Sequence, residues 1–130
     1  MILAETHLDI NCLLDREAIN VFAYRVHAHA LGSVITGYKY SPMQKQFTLL
    51  AKGNPQWPQA FYPMEQVIQI VRDELLFARC TYDSTDKQTI TEIGSTSGDE
   101  MCNLYLMYFS ENPLLSRRAA LDQLSSRLIL

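Results

Sequence analysis

Between Asn20 and Phe109 the chain never sustains a helical apolar period. Turn residues cut it into short β-prone runs whose starts lie about eight to twelve residues apart. The runs that read as strands are Asn20–Ala30, Ser33–Tyr40, Gln46–Ala51, Val67–Val71, Glu74–Tyr82, Gln88–Ile93 and Glu100–Phe109. Breaks fall at Leu31-Gly32, Ser41-Pro42, Gly53-Asn54-Pro55, Asp83–Lys87 and Gly94–Gly98, where glycine, proline and small polar residues favour turns. Strands of this length and spacing predict an all-β protein, a jelly-roll-like antiparallel β-sandwich. The tail differs in kind: Pro113 opens a segment in which Leu114, Leu115, Leu121, Leu124 and Leu128 fall on one face at helical spacing, which predicts a short C-terminal helix over Pro113–Leu130. A length of 130 residues suits one domain, so the expected division is a β domain over 1–112 and a divergent helical tail over 113–130.

The charge balance, 11 Lys and Arg against 14 Asp and Glu, has no basic run beyond Arg117-Arg118. It offers no electrostatic footprint for nucleic acid or anionic lipid. No stretch approaches the roughly 20 apolar residues of a membrane segment. Met1–Asn11 carries Glu5 and Asp9 where a signal peptide needs a basic start and an apolar run, so no export signal is expected in this chain. The three cysteines, Cys12, Cys80 and Cys102, suggest one bridge and one leftover thiol in an oxidising compartment.

Side chains alternate across a strand, which puts Arg25, His27 and His29 on one face and Val26, Ala28 and Ala30 on the other. Residues two apart in a strand have Cα atoms roughly 6.5–7 Å apart, a span that two imidazoles can close over one ion. The same alternation puts Met101, Asn103 and Tyr105 on one face of Glu100–Phe109, with Cys102, Leu104, Leu106 and Tyr108 on the core side. If the two faces share a cleft, His27, His29 and Met101 form a set suited to redox copper: a thioether favours Cu(I), imidazole serves both oxidation states, and three protein ligands leave a position open. A methionine is more commonly a core filler, and spacing alone leaves that reading open. Arg25, Asn103 and Tyr105 would border the same cleft with a guanidinium, an amide and a phenol, the groups of a carboxylate receptor. A bridge between Cys80 and Cys102 would pin the Met101 strand from behind; two buried thiols in a reducing compartment are the alternative.

These residues stand in longer motifs: Val21-Phe22-Ala23-Tyr24-Arg25-Val26-His27-Ala28-His29 followed by Leu31-Gly32, then Thr36-Gly37-Tyr38, Asn54-Pro55-Gln56-Trp57-Pro58-Gln59-Ala60-Phe61-Tyr62-Pro63, Ala78-Arg79-Cys80-Thr81, and Asp99-Glu100-Met101-Cys102-Asn103-Leu104-Tyr105. Over about Val21 to Phe109 the chain resembles the peptidylglycine α-hydroxylating monooxygenases, copper type II, ascorbate-dependent enzymes. The Asn54–Pro63 run separates them from the related dopamine β-monooxygenase. The family has two jelly-roll-like domains with one copper each, and this chain resembles the second, the catalytic-copper domain. The resemblance implies copper ligands His27, His29 and Met101, a disulfide between Cys80 and Cys102, and recognition of a glycine-extended peptide by Arg25, Asn103 and Tyr105. It further implies hydroxylation of the glycine α-carbon with O2 and ascorbate, and a secretory or extracellular location. Some pieces differ. The N-terminal copper domain has no counterpart here, only His7 remains outside the histidine motif, Cys12 matches a family cysteine whose partner position falls in a tail without cysteine, and Ala30 replaces a histidine on the face opposite His29. The chain is thus expected to need a companion copper domain for turnover; a non-catalytic copper- or peptide-binding module is the alternative.

Overall fold

Strand alternation is legible directly in the burial of the chain's last long β run, where Leu104 and Leu106 are fully buried while Tyr105 and Met107, alternating with them, are half-buried. A computed structural model describes residues 5–111 and the backbone of residues 121–125. Eight strands are present among them: β1 (Glu5–Leu13), β2 (Ile19–His27), β3 (Gly32–Ser41), β4 (Gln46–Gly53), β5 (Tyr62–Ile70), β6 (Leu75–Asp83), β7 (Asn103–Phe109) and β8 (Leu121–Ser125). They form two four-stranded sheets, ordered β1-β6-β3-β4 and β5-β2-β7-β8, with every neighbouring pair antiparallel. One apolar core draws on both sheets: Ile35, Ala78 and Cys80 from the first, Val21, Val26, Leu104 and Leu106 from the second. The Cys80–Cys102 disulfide crosses this core, with Cα atoms 5.7 Å apart.

Gly37, in the middle of β3, shows how closely the sheets meet. A Cβ there would lie 2.5 Å from Leu104 Cδ2 and 3.5 Å from Ala51 Cβ. Leu104 is fully buried and has no free volume to retreat into. Gly37→Ala is therefore expected to destabilise by about 1–3 kcal/mol, the usual cost of overpacking a filled core, measurable as a lowered urea midpoint at unchanged slope.

Three expectations change. The segment 121–125 is not helical; it pairs as β8 with the free edge of β7, from Met107↔Leu121 to Asn103↔Ser125. Leucines at helical spacing are a local preference, whereas an open sheet edge offers a row of unpaired N–H and C=O groups that a β conformation satisfies together. The rest of the expected helix lies outside the described residues. Gln88–Ile93 forms no strand, only an isolated bridge between Ile93 and Glu100, and Ile90 is almost fully exposed. Its β-branched composition fits a strand, but β6 just before it is already flanked on both sides by β1 and β3, and β7 just after it by β2 and β8. Finally, Glu5–Leu13 is a strand that the run-by-run reading passes over. Leu8, Ile10 and Cys12 alternate toward the core, and the charges that obscure the pattern belong to an edge: Asp9 on β1 pairs with Arg79 on β6 at 2.7 Å.

Candidate metal centre

β2 carries a register shift between Val21 and Ala23 against both of its neighbours. The extra residue reverses the strand's parity. Val21 before it reaches the core, and beyond it Val26 faces inward while Arg25 and His27 face out. On the adjacent strand β7 the register sets Tyr105 opposite Arg25 and Asn103 opposite His27. Directly opposed side chains on one face of a sheet have Cβ atoms about 4.5–5.5 Å apart, so these four side chains form one patch on the outer face of the second sheet.

Contacts within the patch extend it to His29 and Met101. The His27 and His29 rings meet edge to face with centroids 5.4 Å apart. The Arg25 guanidinium lies 5.2 Å from the centroid of the Tyr105 ring, in reach of a cation–π attraction. Asn103 Nδ2 is 3.4 Å from the Tyr105 hydroxyl and 3.9 Å from Met101 Sδ. Asn103 Oδ1 is buried without a hydrogen-bond partner; a half-turn of the amide would set that oxygen against the Tyr105 hydroxyl instead. The structure thus brings all six candidate residues to one face. His29 and Met101, however, lie outside the ladder, since β2 ends at His27 and β7 begins at Asn103.

The imidazoles are oriented by backbone and by a loop glutamine. His29 Nδ1 is 2.8 Å from the Asp99 carbonyl oxygen, and His27 Nδ1 is 3.2 Å from Gln59 Oε1. A carbonyl oxygen only accepts, so each Nδ1 carries the proton and each Nε2 keeps its lone pair. The Gln59 amide is itself fixed: its oxygen also accepts from Arg25 Nε at 3.3 Å and its nitrogen donates to the Pro55 carbonyl at 3.1 Å. Gln56, from the same loop, donates from Nε2 to the carbonyls of His29 and Gly32 at 2.8 and 3.0 Å. That loop starts as an Asx turn, with Asn54 Oδ1 accepting from the Gln56 amide at 2.8 Å.

Beneath the patch, the buried Glu100 carboxylate accepts from the backbone amides of His29 and Leu31 at 2.8 and 2.6 Å. Tyr82 donates its phenol to the Met101 carbonyl at 2.9 Å. Burial, with the charge of Glu100 behind it, pushes that phenol well above the ordinary tyrosine range, so it remains a donor at any working pH. Gln56, Gln59 and Glu100 are supporting residues that the pattern of candidate ligands did not single out. The two glutamines sit in a loop, and the only sequence signal for Glu100 is a charged residue at the start of an apolar β run.

This donor set fits a soft redox metal. Among the described residues, no three of His, Cys, Asp and Glu converge as a metal-binding group, so a third donor beside the two imidazoles has to be of another kind. The Met101 thioether is the soft donor within the patch, and imidazole with thioether matches copper better than zinc, calcium or magnesium. Metal-bound imidazoles characteristically donate their other ring nitrogen to an oxygen, as both do here. Losing such a support costs about 10–100-fold in metal affinity. Gln59→Leu, which removes the acceptor from both His27 and Arg25, is accordingly expected to weaken copper binding about 10-fold in competition with a chromophoric chelator.

A cleft of about 460 Å³ between β4 and β5, lined by Tyr24, Leu50, Lys52, Met64 and Glu65 among others, contains none of the six candidate residues.

An antiparallel two-sheet protein bridged by a disulfide, with nitrogen and sulfur donors gathered on one outer face, belongs to the class of two-sheet β domains that present their chemistry on a sheet face. Comparison with known proteins makes that class specific. The family described as copper type II ascorbate-dependent monooxygenase, C-terminal domain, matches residues 3–125, and the chain belongs to that family. It is 47% identical over 103 residues to peptidylglycine alpha-amidating monooxygenase of Rattus norvegicus, a match covering 79% of this chain and 10% of the relative. The corresponding protein of Xenopus laevis, form A, is 43% identical over 103 residues, covering 79% of this chain and 11% of the relative. Tyramine beta-hydroxylase of Caenorhabditis briggsae is 24% identical over 116 residues, 88% of this chain and 20% of that protein. The chain therefore spans about a tenth of the length of the first of these relatives.

Proposed function

We propose that this chain supplies the copper-carrying, jelly-roll-like half of a peptidylglycine α-hydroxylating monooxygenase, with the domain over 1–112 holding copper through His27, His29 and Met101. The observation that carries the reading is the pair of imidazoles with both Nδ1 positions committed to oxygen acceptors. Their Nε2 lone pairs are left to a metal beside the residues that contact the Met101 thioether. Copper, when bound, supplies the one-electron redox chemistry by which O2 is reduced and a C–H bond hydroxylated. Net, one oxygen atom enters the α-carbon of the C-terminal glycine, the other leaves as water, and ascorbate provides the two electrons. The product is the precursor of an amidated peptide.

The chain's own residues position the substrate. With Nε held by Gln59, the Arg25 guanidinium presents its Nη edge to a peptide carboxylate as a two-pronged donor. Tyr105, under that guanidinium, adds a hydroxyl, and Asn103 offers an amide to the peptide backbone. The scissile C–H is thereby held beside the histidines. The partners are a glycine-extended peptide, O2 and a companion N-terminal copper domain, and the setting is the secretory pathway or the extracellular space, where the Cys80–Cys102 bridge is stable.

The test supplies the companion domain in trans with copper, ascorbate and a glycine-extended peptide. Hydroxyglycine product that disappears with Arg25→Ala is the expected result. Copper uptake without product reduces the reading to a non-catalytic copper- or peptide-binding module, and no copper uptake removes it.

A further inference from the structure

From Ala23↔Met107 onward, past the register shift, the β2–β7 ladder pairs residues whose numbers sum to 130, and it closes at His27↔Asn103. Continued by two residues, it would pair His29 with Met101. It does not continue. Both amides instead turn to one buried carboxylate oxygen: Glu100 Oε2 accepts from His29 N at 2.8 Å and from Met101 N at 3.3 Å, while Oε1 accepts from Leu31 N at 2.6 Å. Glu100 is only 4% exposed, and amide-to-carboxylate bonds of this kind are roughly twice as strong as neutral ones.

The geometry has a consequence for the face above. In a continued ladder each strand would keep its side chains standing perpendicular to the sheet. With the ladder opened and both backbones drawn to one point beneath it, His29 and Met101 are free to lean from opposite chains toward a common position. Backbone bonds around the same residue hold the opening in shape: Gly94 N donates to Glu100 O at 3.0 Å, Glu100 N donates to Glu92 O at 2.8 Å, and the preceding carbonyl, of Asp99, orients the His29 ring. We infer that Glu100 is a positioning residue whose carboxylate replaces the missing His29–Met101 ladder pair and so sets the distance between the imidazole and the thioether. The inference rests on the reading of His29 and Met101 as copper ligands and names what makes them one site.

Glutamine in place of Glu100 keeps the volume but removes the charge and one accepting oxygen: its NH2 group faces either the amides of His29 and Met101 or the amide of Leu31, so the three amides can no longer be held together. The test is a double-mutant cycle on Cu(I) affinity, measured in the purified chain by competition with a chromophoric chelator, with Cu(I) X-ray absorption read in parallel. Met101→Ala is expected to cost at least about 10-fold in the wild-type background, and Glu100→Gln about 10–100-fold. Met101→Ala should cost less than about 3-fold once Glu100→Gln is present, because the thioether is already displaced. The absorption spectrum of Glu100→Gln should lose its sulfur contribution and keep its imidazole contribution. If Glu100→Gln does not fold, as judged by its melting transition, Glu100→Asp is read in the same way, since its shorter side chain cannot span both chains. Additive losses, or an unchanged sulfur contribution in the folded variant, overturn the role of Glu100 while leaving the ligand set standing. Indifference of the wild-type background to Met101→Ala overturns the ligand set itself.

Discussion

His29→Ala should abolish tight copper binding while leaving the folded chain intact. Removing a direct donor costs more than removing a residue that merely orients one, and the latter already costs about 10–100-fold. The affinity loss should therefore exceed about 100-fold, and protein purified with equimolar copper should retain almost none after desalting. The fold should tolerate the change because the His29 contacts that tie it to its surroundings through N and O use the backbone, which alanine keeps: its amide on Glu100 and its carbonyl on Gln56. His27→Ala should behave alike, since the ring stands on the outer face of the sheet and not in the core. Met101→Ala should be selective instead, weakening Cu(I) more than Cu(II), because thioether sulfur prefers the reduced ion; the reduction potential should fall. Equal copper retention by wild type and His29→Ala would sink the assignment.

Loss of the Cys80–Cys102 bridge is expected to be the most damaging change to stability. The bridge closes a loop of 22 residues, for which chain-entropy arguments give about 3 kcal/mol. Both cysteines are fully buried, so Cys80→Ala with Cys102→Ala also leaves a small void between the sheets. At this chain length the combined loss lowers the melting temperature by roughly 10 °C or more. Cys102 adjoins Met101, and the bridge is the covalent tie between the candidate thioether's segment and the opposite sheet. Copper affinity should therefore fall together with stability in the double alanine variant. Melting curves with and without a thiol reductant check the first effect and chelator competition the second; a reduced protein that melts at the oxidised temperature would contradict the structural role.

Part of the site is visible in residue spacing because a strand has a period of two. Once Arg25, His27 and His29 occur at alternate positions, a β conformation puts them on one side, and the same holds for Asn103 and Tyr105. The apolar residues interleaved with them, Val26, Ala28, Leu104 and Leu106, then face the core, which is where they are found. The local pattern fails at the strand ends. His29 and Met101 read as strand residues, yet their placement comes from the Glu100 carboxylate under both, from the Asp99 carbonyl and Gln56 at His29, and from the Tyr82 phenol at Met101.

The sequence by itself determined the all-β character, most of the strands and which donor-bearing residues share a face, because alternation, turn chemistry and donor type are local properties that each short segment carries with it. Tertiary structure alone decided the extra residue between Val21 and Ala23 that turns Arg25 and His27 outward while Val21 stays inside. It also decided the recruitment of Leu121–Ser125 to an open edge and the meeting of the His29 and Met101 backbone amides at one Glu100 oxygen. These depend on which unpaired backbone groups and which buried charges lie within reach once distant segments meet, and sequence separations of about 70 residues carry no local trace of that.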